Sequence, residues 1–266
     1  MVVGSKYSTI NRKWWNAVTP VHEASNFYAL ETFKKGKTSL QKTEIVELGN
    51  VRGKTMLHVL CHFGMDTLSW ARRGAIVTGA DISDTSIREA KRLSKELNIP
   101  ATFIRSDIYD LPKKLQKKYD IVFASYGVLL WLPNLKKFAK IIKNFLNDGG
   151  TFYIIDVHPF TNMLSFEFEF FYKYFDKGPY VDEDDTYADW SKKVKGETYL
   201  WNHKMSDFLN ALIDAGLKIE FIHEFPYTMY EQFEGLMKKN RMKQYILKDK
   251  KIEVPLLFSV KASKTI

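Results

Sequence analysis

The stretch Met56–Asp81, MLHVLCHFGMDTLSWARRGAIVTGAD, decides how this chain folds. Its opening Met56–Leu60 is an apolar run of strand length, and Cys61, His62 and Phe63 lead into a turn at Gly64. Met65–Arg73 has the spacing of a short amphipathic helix, and Ile76–Ala80 is a second apolar run that closes on Asp81. Apolar run, glycine turn, helix and apolar run together make a βαβ unit.

An acid directly after the second strand, about twenty residues past the turn, is where α/β nucleoside sites hold ribose hydroxyls. Such turns ordinarily carry several glycines, whereas this one has only Gly64.

The 266 residues suit one α/β domain with an elaboration. Hydrophobic residues make up 45% and aromatics 15%, enough for a sizeable core, which excludes intrinsic disorder. A single cysteine rules out an intrachain disulfide. The N-terminal MVVGSKYSTINRKWW lacks an apolar signal region, and no apolar run is long enough to span a membrane. The cytoplasm is the expected compartment. The net charge of +9 invites a nucleic-acid reading. However, the lysines of 113–118 and 136–143 alternate with apolar residues, as on solvated helix faces. No zinc-finger spacing, RNA-binding aromatic signature or arginine stripe accompanies them, so small-molecule chemistry is favoured.

Outward from Asp81, Ser83–Ser86 offers helix N-caps, and Ile87, Ala90, Leu93 and Leu97 form one face of a helix that Pro100 ends. Residues 101–107 form a third strand ending in Asp107, and 111–118 a short basic helix. A fourth strand lies within 119–132. Residues 134–150 form an amphipathic helix stopped by Gly149-Gly150, and 151–160 a fifth strand running out at Asp156, His158 and Pro159. Repeated strand–helix alternation means a parallel sheet with helices on both faces.

The rhythm breaks at 161–204. Residues 164–175 alternate apolar and polar and read as a strand, 178–190 as an acidic link, and 196–204 as another possible strand. A helix at 205–216, a strand at 218–225, a helical piece at 230–240 and a last strand at 254–263 follow, the two closing strands suggesting an antiparallel edge. Residues 1–50, with Trp14, Trp15, Phe27, Tyr28 and Phe33, read either as a helix pair packed on the sheet or as a lid over its strand ends.

Four features carry a resemblance: LHVLCHFGMDTL, the acid in TGADIS, the acid in RSDIYDLP, and the paired YDIVFASYGVLLWL and LNDGGTFYIIDVHPF. Over about residues 45–263 the chain resembles the class I S-adenosylmethionine-dependent methyltransferases of small-molecule type. The resemblance implies a Rossmann-like seven-stranded, mostly parallel sheet with an antiparallel last strand and a cap inserted after the fifth strand. The expected organisation is an N-terminal helical lid (1–50), a cofactor-binding half (51–160), an aromatic cap (161–204) and the rest of the core (205–266). One departure stands out: the family usually has an acid at the position of His58 and glycines at those of Leu60 and His62.

The resemblance implies S-adenosylmethionine as cofactor. The backbone of Leu60, Cys61, His62 and Gly64 would line its methionine part. Asp81, beside Ile82, would accept from the ribose diol, with a helix N-cap as the plainer role. Asp107, beside Ile108, would accept from the adenine amino group, with an Asx-turn as the plainer role. Ser125 and Tyr126 would end the fourth strand beneath the sulfonium, Tyr126 also shaping the acceptor site. Methyl transfer is an in-line displacement on an activated carbon, so positioning supplies much of the rate.

An acceptor hydroxyl needs a base, for which His158 is the leading candidate; its plainer role is capping the loop before Pro159. Tyr28, Tyr172, Tyr199 and Trp201 are candidate substrate contacts. His62 reads either as ligand-facing or as bonded to backbone, His58 as a core histidine, and Cys61 as no nucleophile. The six histidines, His22, His58, His62, His158, His203 and His223, show no metal spacing.

The expected partner is a small-molecule methyl acceptor, and the expected state a monomer or homodimer. Alternatives are an RNA or protein methyltransferase on the same fold, or a non-catalytic nucleoside-binding module. A nicotinamide-dependent dehydrogenase ranks lower because GxGxxG is absent.

Overall fold

The computed structural model describes residues 5–175, 178–183, 186–189 and 191–265. Three helices precede the sheet: α1 (Ser5–Ala24), α2 (Leu30–Lys34) and α3 (Lys42–Leu48). The βαβ unit then forms as β1 (Thr55–Val59), α4 (Met65–Arg72) and β2 (Ile76–Asp81). It continues through α5 (Asp84–Glu96), β3 (Thr102–Arg105), the single turn α6 (Leu111–Lys114), β4 (Tyr119–Ser125), α7 (Leu135–Phe145) and β5 (Leu146–Val157). Side-chain caps set two helix starts: Ser83 Oγ accepts the Ser86 amide at 3.0 Å, and Asn134 Oδ1 the Lys137 amide at 2.8 Å.

After β5 come β6 (Tyr180–Asp182), β7 (Thr198–Leu200), α8 (Met205–Asp214), β8 (Leu217–Phe225), β9 (Met237–Lys239), β10 (Tyr245–Leu247) and β11 (Leu257–Lys264). The main sheet has seven strands in the order β3-β2-β1-β4-β5-β11-β8. β11 runs antiparallel between β5 and β8, so the antiparallel strand is internal and β8 forms the edge. The two closing strands thus pair antiparallel at one side of the sheet, as expected, with β8 as its outer strand.

Side-chain alternation splits the core over the two sheet faces. Leu57, Val59, Val122, Ala124, Phe152 and Ile154 pack towards α7 and α8. Met56, Ile121, Phe123, Tyr153 and Ile155 pack on the other face with Trp70, Leu40 and Leu48. His58 shares the parity of Met56. It is buried, with Nδ1 2.8 Å from Thr67 Oγ1, and burial lowers its pKa to about 3. It is a neutral core histidine.

Three local readings are corrected. Residues 164–175 form turns with one isolated bridge, Leu164 to Phe170, instead of a strand. Phe168 takes φ 67°, and Phe170 and Phe175 are 76% and 79% exposed. Without a neighbouring strand to satisfy its amides, an alternating pattern stays irregular. Residues 230–240 hold turns and β9, which pairs antiparallel with β10, instead of a helix. Finally, α7 ends at Phe145, and Gly149-Gly150 lie within β5, whose pairing with β4 shifts register there. Within the acidic link, β6 pairs antiparallel with β7. Asp184, Asp185 and Trp190 lie outside the described residues.

Candidate active site

The strand order reverses between β1 and β4, and open α/β sheets bind ligands at the carboxyl ends of strands at such a point. The β1–α4 turn lies there. Leu60 has φ 54°, His62 φ 50° and Gly64 φ 80°, so all three take the left-handed conformation that glycine adopts freely. The backbone path expected of a glycine-rich turn is thus kept, with side chains at two of its positions. Each non-glycine residue held this way costs of order 1–3 kcal/mol, a cost that recurs at functional sites. Gly64 has no such latitude: an added Cβ would meet Phe103 at 2.7 Å.

Asp81 ends β2 and ties this turn to the next. Its Oδ2 accepts the His62 amide and its Oδ1 the Ser83 amide, both at 2.8 Å. Burial outweighs these bonds and raises its pKa to about 6; the Ile82 amide is a further donor. Asp107 Oδ1 accepts the Tyr109 amide at 2.8 Å as an Asx-turn, while Oδ2 accepts from the Ser8 hydroxyl of α1. Ile108 is buried in the main core beside it. Cys61 is buried, its thiol pushed well up by burial, as an inert packing group.

His62 bonds to side chains instead of backbone. Its Nε2 lies 2.9 Å from His22 Nδ1 of α1, and its Nδ1 3.0 Å from Ser86 Oγ. The ring of Trp15 meets it edge-on, with centroids 5.0 Å apart. Tyr28 stacks on His22, and its hydroxyl lies 2.6 Å from that of Tyr187. Tyr28 therefore stands at the turn. Tyr199 and Trp201 contact Tyr7 of α1, at centroid distances of 4.8 and 5.5 Å. Tyr172 instead meets Tyr180 edge-on within the insertion, with centroids 4.8 Å apart.

At the end of β4, Ser125 Oγ donates to Asp66 Oδ2 at 3.0 Å. Tyr126 has φ 51°, and its hydroxyl donates to Glu44 Oε2 at 3.1 Å. Glu44 closes a capping box on α3, its Oε1 accepting the Gln41 amide at 2.6 Å. It is fully buried, which raises its pKa to about 8. Asp156 holds the loop that presents Tyr126, accepting the amides of Gly127, Val128 (3.0 Å) and Leu129 (2.9 Å).

His158 occupies both its ring nitrogens. Nδ1 accepts the Phe160 amide at 3.0 Å, and Nε2 lies 2.8 Å from Glu224 Oε1 on β8. It caps the loop, so in this arrangement it offers no free lone pair to a substrate. Sequence reasoning missed Glu44, Asp66, His22 and Ser8. Asp66 stands within the turn motif itself, and Gln41–Glu44 has capping-box spacing; those signals could have found these two.

The residues fit S-adenosylmethionine on the turn's own backbone geometry and on a carboxylate at the end of both β2 and β3. Among the described residues, no group of His, Cys, Asp and Glu could hold a metal ion. Among the described residues no helix is long and apolar enough to cross a membrane.

Residues 56–150 match the methyltransferase domain family. A ubiquinone biosynthesis O-methyltransferase of Photorhabdus laumondii is 28% identical over 148 residues, 54% of this chain and 56% of that one. The chain spans about half the length of the curated relatives it matches. A solved S-adenosylmethionine-dependent methyltransferase from Mesorhizobium loti superposes with TM-score 0.55 at 18% identity, covering 86% of this chain and 99% of that one. Magnesium protoporphyrin IX methyltransferase from Synechocystis, solved with S-adenosylmethionine bound, gives 0.56 at 15% identity, covering the whole of both chains. Turn, acids and strand order agree with the match of residues 56–150 to the methyltransferase domain family and with the fold of the solved S-adenosylmethionine-dependent methyltransferases.

Proposed function

We propose that the protein methylates a small molecule with S-adenosylmethionine as donor, and that the acceptor atom is a hydroxyl oxygen. The observation that carries the reading is the left-handed backbone at Leu60, His62 and Gly64 leading to Asp81. Bound at that turn, the cofactor supplies a methyl group already activated on a sulfonium. Leu60–Gly64 line its methionine part, Asp81 accepts from its ribose and Asp107 from its adenine. The curated relatives named as O-methyltransferases favour oxygen as the acceptor atom.

Tyr126 handles the acceptor's proton, because its hydroxyl already donates to Glu44 Oε2. A Glu44 carboxyl near 8 is basic enough to take a proton through Tyr126. His158 serves as a positioning residue for the loop after β5. Residues 1–50 act as the lid, with Ser8, Trp15 and His22 lying against the turn and the β3 acid. Tyr28, Tyr199 and Trp201 help to enclose the acceptor. Tyr172 belongs to the outer part of the insertion.

The test is to incubate the protein with methyl-labelled S-adenosylmethionine and a panel of phenols, alcohols and amines. Label is expected on phenols or alcohols. Label on amines alone would refute the oxygen assignment, and label on nothing in the panel while added RNA or protein is methylated would refute the small-molecule reading.

A further inference from the structure

Two segments outside the β1–α4 turn spring from the same end of the sheet. The insertion leaves β5 after Val157, and the connection holding β9 and β10 leaves β8 after Phe225 and enters β11 at Leu257. Leu257 pairs with both Val157 and Phe225, so both segments start at the carboxyl ends of the parallel strands. They pack into one body. Phe168 of the insertion meets Phe233 edge-on with centroids 4.8 Å apart, and Met237 and Leu256 complete a small core around them.

This body shows solvent an apolar and basic surface. Phe170, Phe171 and Phe175 project from the insertion, Phe171 with 71% exposure. Leu236, Met242 and Ile252 project from the hairpin and its flanks, Met242 with 65% exposure. Soluble proteins rarely gather so many large exposed apolar side chains in one region without a partner for them. Residues 237–251 carry seven basic side chains and a single acid, Asp249. Lys238, Lys239, Arg241 and Lys243 are exposed about the hairpin loop, with Met242 between the last two. Among the described residues none of these four has an ion-pair partner.

Cations beside projecting apolar side chains suit a phospholipid surface, where phosphates attract the ammonium groups and the acyl boundary takes up the apolar ones. Single-stranded nucleic acid also attracts cations, but it is held by bases stacking on aromatic faces. The exposed apolar residues nearest in sequence to these cations, Leu236, Met242 and Ile252, are aliphatic and offer no such face. Glu167 and Glu169 precede Phe170 in the insertion, so electrostatic attraction falls to the hairpin and apolar anchoring to the insertion.

We propose that the β9–β10 hairpin and the insertion form a docking face for an anionic phospholipid surface, with Phe170 and Phe171 as apolar anchors. Docking there turns the strand ends, and with them the β1–α4 turn, towards the bilayer. The proposal goes beyond the methyl-transfer reading and does not depend on it.

Sedimentation with vesicles tests it, using phosphatidylcholine alone or mixed equally with phosphatidylglycerol. Wild-type protein is expected to bind the mixed vesicles, to bind phosphatidylcholine at least about tenfold more weakly, and to be released by added salt. Lys238→Gln, Lys239→Gln and Lys243→Gln combined should weaken binding roughly a hundredfold, and Phe170→Ser with Phe171→Ser at least about tenfold. Lys54→Gln, Lys117→Gln and Lys118→Gln combined remove the same charge at the opposite end of the sheet, beside the starts of β1 and β4, and should leave binding within about threefold of wild type. Equal loss in this last variant would reduce the effect to net charge and overturn the proposal. So would failure of wild type to bind mixed vesicles at low salt, or unchanged binding in both the lysine and phenylalanine variants of the docking face. Single-stranded RNA displacing the protein from vesicles, with tighter binding that the same two variants weaken, would give the face to nucleic acid and overturn it as well.

Discussion

His22 Nδ1 of α1 lies 2.9 Å from His62 Nε2 of the β1–α4 turn, so the two rings share one proton between them. The outer nitrogens continue the chain, His22 Nε2 to Thr186 Oγ1 at 2.5 Å and His62 Nδ1 to Ser86 Oγ at 3.0 Å. Helix α1, the β1–α4 turn, α5 and the insertion thereby meet on one pair of imidazoles. Burial lowers the pKa of His22 to about 3, and burial with the neighbouring His22 lowers that of His62.

The pH consequence has a definite sign. Both rings stay neutral in the folded chain, while unfolded histidines take up protons below about 6.5. The stability they contribute is complete above that value and is lost as pH falls towards the folded value of about 3 for His22. Thermal denaturation between neutral and acid pH should show a steep decline in wild type and a shallower one in His22→Gln. Parallel declines would mean that the pair does not control acid sensitivity.

Ser8 donates to the Asp107 oxygen that the family reading gives to adenine. Cofactor entry would have to exchange that bond. Ser8→Ala should therefore bind S-adenosylhomocysteine about two- to tenfold more tightly, in line with one neutral hydrogen bond no longer competing. A weaker affinity in titrations of the variant would show that Ser8 assists the ligand instead.

Glu44 has the opposite pH signature. Its folded value of about 8 lies above that of an unfolded glutamate, so the stability it contributes is present at acid pH and is lost as pH rises through about 8. Glu44→Gln should remove this alkaline decline, measured by urea unfolding across the same range. In methyl-transfer assays the same variant should abolish a rise in rate with a midpoint near 8. If that rise persists, the proton leaves by another route.

Gly79 in β2 does not need positive φ, yet an added Cβ would lie 2.7 Å from Phe103 and 2.9 Å from Cys61 Sγ. Gly79→Ala should cost about 1–3 kcal/mol through overpacking, measured by denaturant unfolding. Combining it with Phe103→Leu should recover part of that loss, since the clash is with the ring.

The centre of the sheet was legible because its parallel strands are buried on both faces and appear as apolar runs between a helix and a turn, as Met56–Val59 and Ile121–Ala124 do. Asp81 and Asp107 could be picked out because each directly follows a strand. Residues 164–175 misled because alternation records which way side chains point and says nothing about whether a partner strand is present. Glu44 escaped notice because its importance comes from burial beside Tyr126, 82 positions away. His158 could not be assigned from sequence either, since Glu224, its hydrogen-bond partner on β8, is 66 positions further on. At Leu60 and His62 the sequence read as an unusual variant of a glycine turn, and the backbone there takes left-handed φ at both positions.

Everything proposed for the chemistry depends on this strained turn and Asp81 holding the cofactor. Calorimetric titration with S-adenosylhomocysteine of wild type and Asp81→Asn tests it most directly. The account predicts saturable binding by wild type and an affinity roughly ten- to a hundredfold lower in the variant, as for charge-assisted hydrogen bonds lost. No binding by the folded wild type at millimolar ligand, or equal affinity in both proteins, would contradict it.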